Sequence, residues 1–326
     1  MSEAPPSGAH RAGFVALIGQ PNVGKSTLLN QILGERIAIV THKPQTTRTR
    51  VLGVAHDPGW QIAFLDTPGV HPAKGGLNRY MVDVALSTLD EVEAVLFLVD
   101  VSHRLPAEAL SETGEALDRA LAQKVAFDER DAKILERLVR SGKPVVLGVN
   151  KVDAVHQPYL LPLIESYQAV HDWKGIHPIS ARTGEGLADL MASLAGLMPE
   201  SPPLFPPDML TDQAERTIAA EYVREQVMRH VHQEIPYETA VEILLFDEEE
   251  REGKGLVRIE ANIVVDRASQ KGIIIGKKGA MISRIGKAAR LRLEKLLGAR
   301  VYLGLNVRVE PGWSRKAGGL RKMGYT

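Results

Sequence analysis

The stretch Gly19-Gln20-Pro21-Asn22-Val23-Gly24-Lys25-Ser26 follows an apolar run, Phe14–Ile18, and opens into the helix-forming residues 26–33. Strand, glycine-bearing turn and helix in that order fit the phosphate-wrapping pattern G-x-x-x-x-G-K-[ST]. The residue types follow from the chemistry. Gly19 and Gly24 let backbone N–H groups curl around phosphate oxygens, and the helix N-terminus adds positive potential. Lys25 is placed to reach the β- and γ-phosphates, and the Ser26 hydroxyl suits Mg2+. Asn22, Val23 and Thr27 complete the candidate phosphate-binding loop. A chain that carries this loop after its first strand points to an α/β fold.

Working outward, three more short motifs stand at strand ends. Asp66-Thr-Pro-Gly69 closes the apolar run Gln61–Leu65. Asp66 there suits Mg2+ held through a bound water, and Gly69 can offer its N–H to a γ-phosphate. Asn150-Lys151-Val-Asp153 closes Pro144–Val149, and Ser180-Ala181 closes Ile176–Ile179. Asp153 can accept both the N1 and N2 hydrogens of guanine, Lys151 can lay its stem over the base, and the Ala181 N–H can donate to O6. Ligands in doubly wound sheets sit at the carboxyl ends of strands, where all four motifs fall. Further strands are expected at Val51–Ala55 and Ala94–Val99, with helices near 78–89, 128–140, 159–170 and 186–197. Apolar strands alternating with helices predict a mostly parallel sheet covered on both faces. Residues 103–127 are long for a connection and read as an insertion with its own helix at 107–121.

Between Pro199 and Pro207 five prolines fall in nine residues, which predicts a stiff linker over 199–209. Beyond it the order changes to helix (213–233), strands Ala240–Phe246 and Leu256–Val265, helices at 269–275 and 281–296, and strand Arg300–Val309. This is a smaller α+β unit. Its charge also differs. The 326-residue chain has 40 basic and 40 acidic residues, yet 267–326 holds 15 basic residues against Glu294 and Glu310. A neutral total therefore conceals a strongly basic end.

Within that end, Ile273-Ile274-Ile275-Gly276-Lys277-Lys278-Gly279 places a GxxG turn between two helices. Glycines let a nucleic-acid backbone approach, lysines meet phosphates, and isoleucines can line a groove for unstacked bases. Lys271, Arg284 and Lys287 add to the candidate RNA-binding set. On the following helix Ile282, Ile285, Ala289, Leu293 and Leu296 read as core. The same charge could instead attract an anionic lipid surface. With no cysteine there is no disulfide or thiolate metal site, and no apolar run reaches the roughly 20 residues of a membrane span. The N-terminus carries no secretory h-region, so a cytoplasmic protein is expected.

The set GQPNVGKS, DTPG, NKVD and SA resembles the ordered motifs of P-loop GTPases, and its Pro21 and Asn22 resemble the Era-type GTPase family. The α-β-β-α-α-β order with GxxG resembles a type II KH domain. This resemblance implies boundaries of 1–11 for a flexible N-terminus, 12–198 for the GTPase domain, 199–209 for the linker, 210–310 for the KH domain and 311–326 for a basic tail. Pro44-Gln-Thr-Thr-Arg48 matches the switch motif, which implies that Thr47 completes the Mg2+ shell, with Thr46 the neighbouring candidate. Lys25, Thr47 and Gly69 would serve catalysis. Val70 stands where a water-orienting glutamine would be, and valine can neither donate nor accept, so slow intrinsic hydrolysis is expected. Asn22 matches an asparagine that holds K+ in some relatives. The implied cofactors are GTP/GDP and Mg2+, with K+ as an addition. The implied partner is small-subunit ribosomal RNA near its 3′ end, in maturation of the small (30S) subunit, by a monomer that also associates peripherally with the cytoplasmic membrane. The alternative is a membrane-associated signalling GTPase that uses its basic end on lipid.

Overall fold

The computed structural model describes residues 10–69, 76–102, 129–155 and 160–325. Contacts divide the chain into two compact units.

The first unit holds β1 (Arg11–Gly19), α1 (Lys25–Leu33), β2 (Val51–Asp57), β3 (Trp60–Asp66), α2 (Gly76–Ser87, whose first turns belong to the second unit), β4 (Ala94–Asp100), α3 (Glu129–Ser141), β5 (Val145–Asn150), α4 (Leu160–Gln168), β6 (Gly175–Ile179) and α5 (Leu187–Leu197). Its sheet order is β2-β3-β1-β4-β5-β6, parallel throughout except for the β2–β3 hairpin. Every residue of β4 and β5 is buried, as expected of central strands covered on both faces. Each fully buried Leu, Val or Phe there contributes about 1.5–3 kcal/mol of transfer free energy. The expected strands and helices all occur here, displaced by at most two or three residues at their ends. The reading of 103–127 as an insertion lies outside the described residues.

The second unit holds α6 (Glu215–His230), β7 (Thr239–Asp247), α7 (Arg251–Lys254), β8 (Leu256–Val265), α8 (Ala268–Ile275), α9 (Ala280–Leu297), β9 (Arg300–Val309) and α10 (Ala317–Lys322). Its sheet runs β7-β8-β9, with β8 antiparallel to β7 and parallel to β9. Helices α6 and α9 pack their apolar residues on that sheet, with Val223, Val227, Ile285, Ala289 and Leu293 fully buried. Two details differ from the sequence reading. A short helix, α7, interrupts the acidic connection, and the basic tail is folded: Trp313, Leu320 and Tyr325 are buried, with the Trp313 and Tyr325 rings stacked at 6.0 Å.

The second unit also takes in Ala38–Thr46 and 76–80. Ile39 is buried in the same core as Ile218, Ala219 and Tyr222. Arg229 donates to the Val40 carbonyl (2.9 Å), and Arg224, almost wholly buried, donates to the Thr46 carbonyl. Helix α6 is therefore buried on its charged side as well as its apolar one.

Candidate nucleotide and nucleic-acid sites

The first-unit motifs converge at the carboxyl ends of β1, β3, β5 and β6. Gly24 precedes α1 with φ 105°, a left-handed conformation that strains a side chain. A Cβ there would clash with Asn150 Nδ2. Asn150 itself is a clasp: its Nδ2 donates to the Val23 carbonyl (2.6 Å) and its Oδ1 accepts from the Ala181 N–H (2.9 Å). One buried side chain thus joins the phosphate loop, the NKVD turn and the Ser180-Ala181 turn. The Ala181 N–H, expected to face a base, donates to Asn150 Oδ1 here.

Lys25 is buried, and its Nζ donates to the carbonyls of Gly19 (3.2 Å) and Gln20 (3.1 Å). Burial lowers its pKa to about 8 despite the opposing pull of Asp66. The Ser26 hydroxyl donates to Asp66 Oδ2 (2.6 Å) and lies 2.8 Å from the Thr47 hydroxyl, which is 3.4 Å from the same carboxylate oxygen. Thr46 points elsewhere, its hydroxyl bonded to the Lys43 carbonyl (2.7 Å). Of the two candidate threonines it is Thr47 that joins Ser26. Asp66 is fully buried, and its Oδ1 has no hydrogen-bond partner among the described residues. Burial raises its pKa, against the lowering effects of Lys25, Ser26 and Thr47. Two hydroxyls and a carboxylate with an unsatisfied oxygen form a hard-oxygen donor set that fits Mg2+.

Gly69 lies against the phosphate loop, where a Cβ would come within 2.7 Å of Pro21 Cα. Val70, the residue on which the slow-hydrolysis reading rests, lies outside the described residues. Asn22 is exposed at φ 65°, and Thr27 sits on the first turn of α1. At the base-reading end, Asp153 Oδ1 accepts from Ser180 Oγ (2.6 Å), and its Oδ2 pairs with the exposed Arg182. Lys151, at φ 70°, pairs with Asp100 at the end of β4. Sequence reading missed Asp100 and Arg182. The former had a signal, since it ends a buried strand beside the NKVD turn.

In the second unit, Gly276 adopts φ 72°, ψ 173°, a region essentially confined to glycine, and a Cβ would lie 2.7 Å from Met281 Cβ. Lys277, Lys278 and Gly279 complete a tight turn into α9, with Lys271 and both turn lysines exposed. Ile273 is exposed, Ile275 is partly buried, and Ile274 is wholly buried among Val223, Ile263 and Ile285. Ile274 therefore belongs to the core and cannot line a ligand groove. A groove of about 780 Å³ runs between α9 and the edge strand β9, lined by Ile282, Gly286, Lys287, Arg290, Tyr302, Leu303 and Leu305 among others. Lys287 thus lines it, whereas Arg284 is exposed outside the lining. Tyr302, about half exposed, is an aromatic of the groove lining that sequence reading overlooked. Its signal was an aromatic at an outward position of an edge strand.

Comparison with known proteins places these two sites in context. Residues 14–151 match the family described as 50S ribosome-binding GTPase, and residues 234–314 match the KH domain. GTPase Era of Geobacter metallireducens is 48% identical over 316 residues, covering 97% of this chain and 98% of that protein. The chain belongs to the Era GTPase family. GTPase Era of Geotalea uraniireducens is 46% identical over 97% of this chain. Among solved structures, a variant of Aquifex aeolicus Era bound to GDP·AlF4− is 38% identical with a TM-score of 0.87, over 97% of this chain and 99% of that one. Era in complex with MgGDPNP and nucleotides 1506–1542 of 16S ribosomal RNA matches with the same identity, coverage and TM-score. As an Era-family member the chain is a GTPase, built as a P-loop GTPase domain followed by a KH domain.

Proposed function

We propose that this GTPase binds GTP and GDP with Mg2+ in its first domain (12–198) and small-subunit ribosomal RNA near the 3′ end in its KH domain (210–310). The linker would be 199–209. The observation that carries the reading is the meeting of Ser26, Thr47 and Asp66 beside Lys25, on a chain that shares its architecture with an Era bound to MgGDPNP and 16S RNA.

The geometry supports a role for each residue. Backbone N–H groups of the Asn22–Thr27 stretch wrap the phosphates, and Lys25 exchanges its two carbonyl acceptors for β- and γ-phosphate oxygens. Ser26, Thr47 and Asp66 hold Mg2+, which neutralises phosphate charge when bound. Gly69 offers its N–H at the γ-phosphate end. Asp153 selects guanine through its paired N–H donors once Arg182 moves aside, and Lys151 covers the base. Asn150 holds the base-reading and phosphate-wrapping loops in register. Asn22 is the proposed K+ ligand; equal single-turnover rates in K+ and Na+ would remove that role.

On the RNA side, Gly276–Gly279 admits the backbone, Lys271, Lys277, Lys278 and Lys287 meet phosphates, and the α9–β9 groove takes splayed bases. The tail buries Trp313, Leu320 and Tyr325 in its own fold, so these three side chains are not presented to a lipid surface. Among the described residues no helix is long and apolar enough to cross a membrane. RNA is therefore preferred over lipid as the partner of the basic end, and a monomer acting on the 30S subunit in the cytoplasm is the working picture. Peripheral membrane contact would then be secondary.

The test measures both ligands. GTP should bind more tightly than ITP, which lacks the 2-amino group, and far more tightly than ATP. A 3′-terminal 16S oligonucleotide should bind the wild type, and Gly276→Asp should abolish that binding. Equal affinity for GTP and ATP, or unchanged RNA affinity in Gly276→Asp, would overturn the respective half.

A further inference from the structure

Helix α3 begins with a feature that the roles above leave unused. Asp131, in its first turn, is completely buried. A carboxylate withdrawn from water needs a specific partner, because desolvation costs several kcal/mol otherwise. One partner is the Gln20 side chain, whose Nε2 donates to Asp131 Oδ1 at 2.8 Å. Gln20 is the second residue of the phosphate loop, and its backbone carbonyl accepts from Lys25 Nζ at 3.1 Å. Two successive bonds therefore run from α3 to the catalytic ammonium: carboxylate to side-chain amide, then backbone carbonyl to lysine.

The charge of Asp131 calls for an explanation. A negative group beside a loop that receives a polyanion opposes binding through space, so simple packing would favour a neutral or apolar side chain. What a carboxylate adds is a charge-assisted hydrogen bond, about twice as strong as a neutral one. That strength is useful where a loop must keep its shape with and without phosphate. We propose that Asp131 is a positioning residue for GTP turnover: it fixes Gln20, and with it the phosphate-loop backbone from which Lys25 reaches the phosphates. The inference rests on the GTP-binding reading given above.

The experiment compares wild type, Asp131→Ala, Asp131→Asn, Gln20→Ala and the Asp131→Ala/Gln20→Ala double variant in the full chain. It measures kcat and KM for GTP, the affinity of GDP, and the affinity of guanosine, which lacks phosphates. Asp131→Ala and Gln20→Ala should each lower kcat/KM about tenfold. Guanosine affinity should stay within twofold of wild type, because the base-reading turns are untouched. The double variant should lose no more than either single one, since both cut the same tether. Asp131→Asn keeps an acceptor for Gln20 but not the charge, and should fall between wild type and Asp131→Ala. Losses that multiply in the double variant, a parallel fall in guanosine affinity, or turnover unchanged in Gln20→Ala would each overturn the proposal. If Asp131→Ala fails to fold, Gln20→Ala and Asp131→Asn still decide the matter. Wild type that fails to bind GTP would defeat the functional reading itself, whereas a wild type that binds while Gln20→Ala is silent defeats only the role of Asp131.

Discussion

Replacing Asn150 by alanine tests whether the nucleotide site is held together by one side chain. The wild-type amide donates to Val23 O at 2.6 Å and accepts from Ala181 N at 2.9 Å, and Val23, Asn150 and Ala181 are all buried. Removing it deletes two hydrogen bonds, each worth about 0.5–1.5 kcal/mol net, and leaves a carbonyl and an N–H without partners in a dry setting. The expected loss is about 2–4 kcal/mol of stability in the first domain. Urea denaturation of the ligand-free protein, followed by the fluorescence of Trp60 and Trp173, measures it. Asn150→Asp should be at least as damaging, because a carboxylate would then face the Val23 carbonyl with no proton to give. A loss below about 0.5 kcal/mol in Asn150→Ala would refute the clasp and leave the two turns independently stable.

Three further outcomes are expected. Thr47→Ala should cut Mg2+-dependent GTP hydrolysis at least tenfold while GDP affinity changes little, since Thr47 meets the donor set from the switch stretch; steady-state kinetics against Mg2+ concentration checks this. Tyr302→Ala should weaken RNA binding by about 1–3 kcal/mol, the worth of one base stacked on an aromatic ring, as read by fluorescence anisotropy. Half-buried His177 has its pKa lowered below 6.5, chiefly by burial and against the pull of Asp189. The unfolded chain then takes up the proton first, so stability is intact above about 6.5 and is lost as pH falls below it; His177→Gln should flatten urea midpoints measured from pH 7.5 to 5.5.

Much of this was legible in the sequence because strand ends carry both the fold and the chemistry. Phe14–Ile18 predicts a buried strand by composition, and the glycines after it predict the loop by conformation. The same residues then position Lys25 and Ser26. Long-range partners were not legible. Nothing local to Asp131 announces that it meets Gln20, and nothing in the run Ile273–Ile275 says which isoleucine turns inward. On a helix, three consecutive residues point in three directions, so only the packing decides that Ile274 is core. Tyr302 was missed for a related reason: a strand's outward face gains meaning only when a neighbouring helix makes it the wall of a groove. The tail was read as a charged appendage because its apolar residues are too widely spaced for periodicity to reveal, yet Trp313 and Tyr325 meet by stacking.

The grouping of Ala38–Thr46 with the second compact unit has a practical consequence for dissecting the protein. Sequence order suggests that cutting within the proline-rich linker would yield two autonomous halves. Compactness divides the chain differently. A fragment ending before the linker would keep Ile39 while losing Ile218, Ala219 and Tyr222, the residues that bury it. It would also strip the Val40 and Thr46 carbonyls of the arginines that satisfy them. The switch stretch of such a fragment should be cut readily by proteases, and hydrolysis rates measured on it would describe a loosened Thr47 rather than the one the full chain presents.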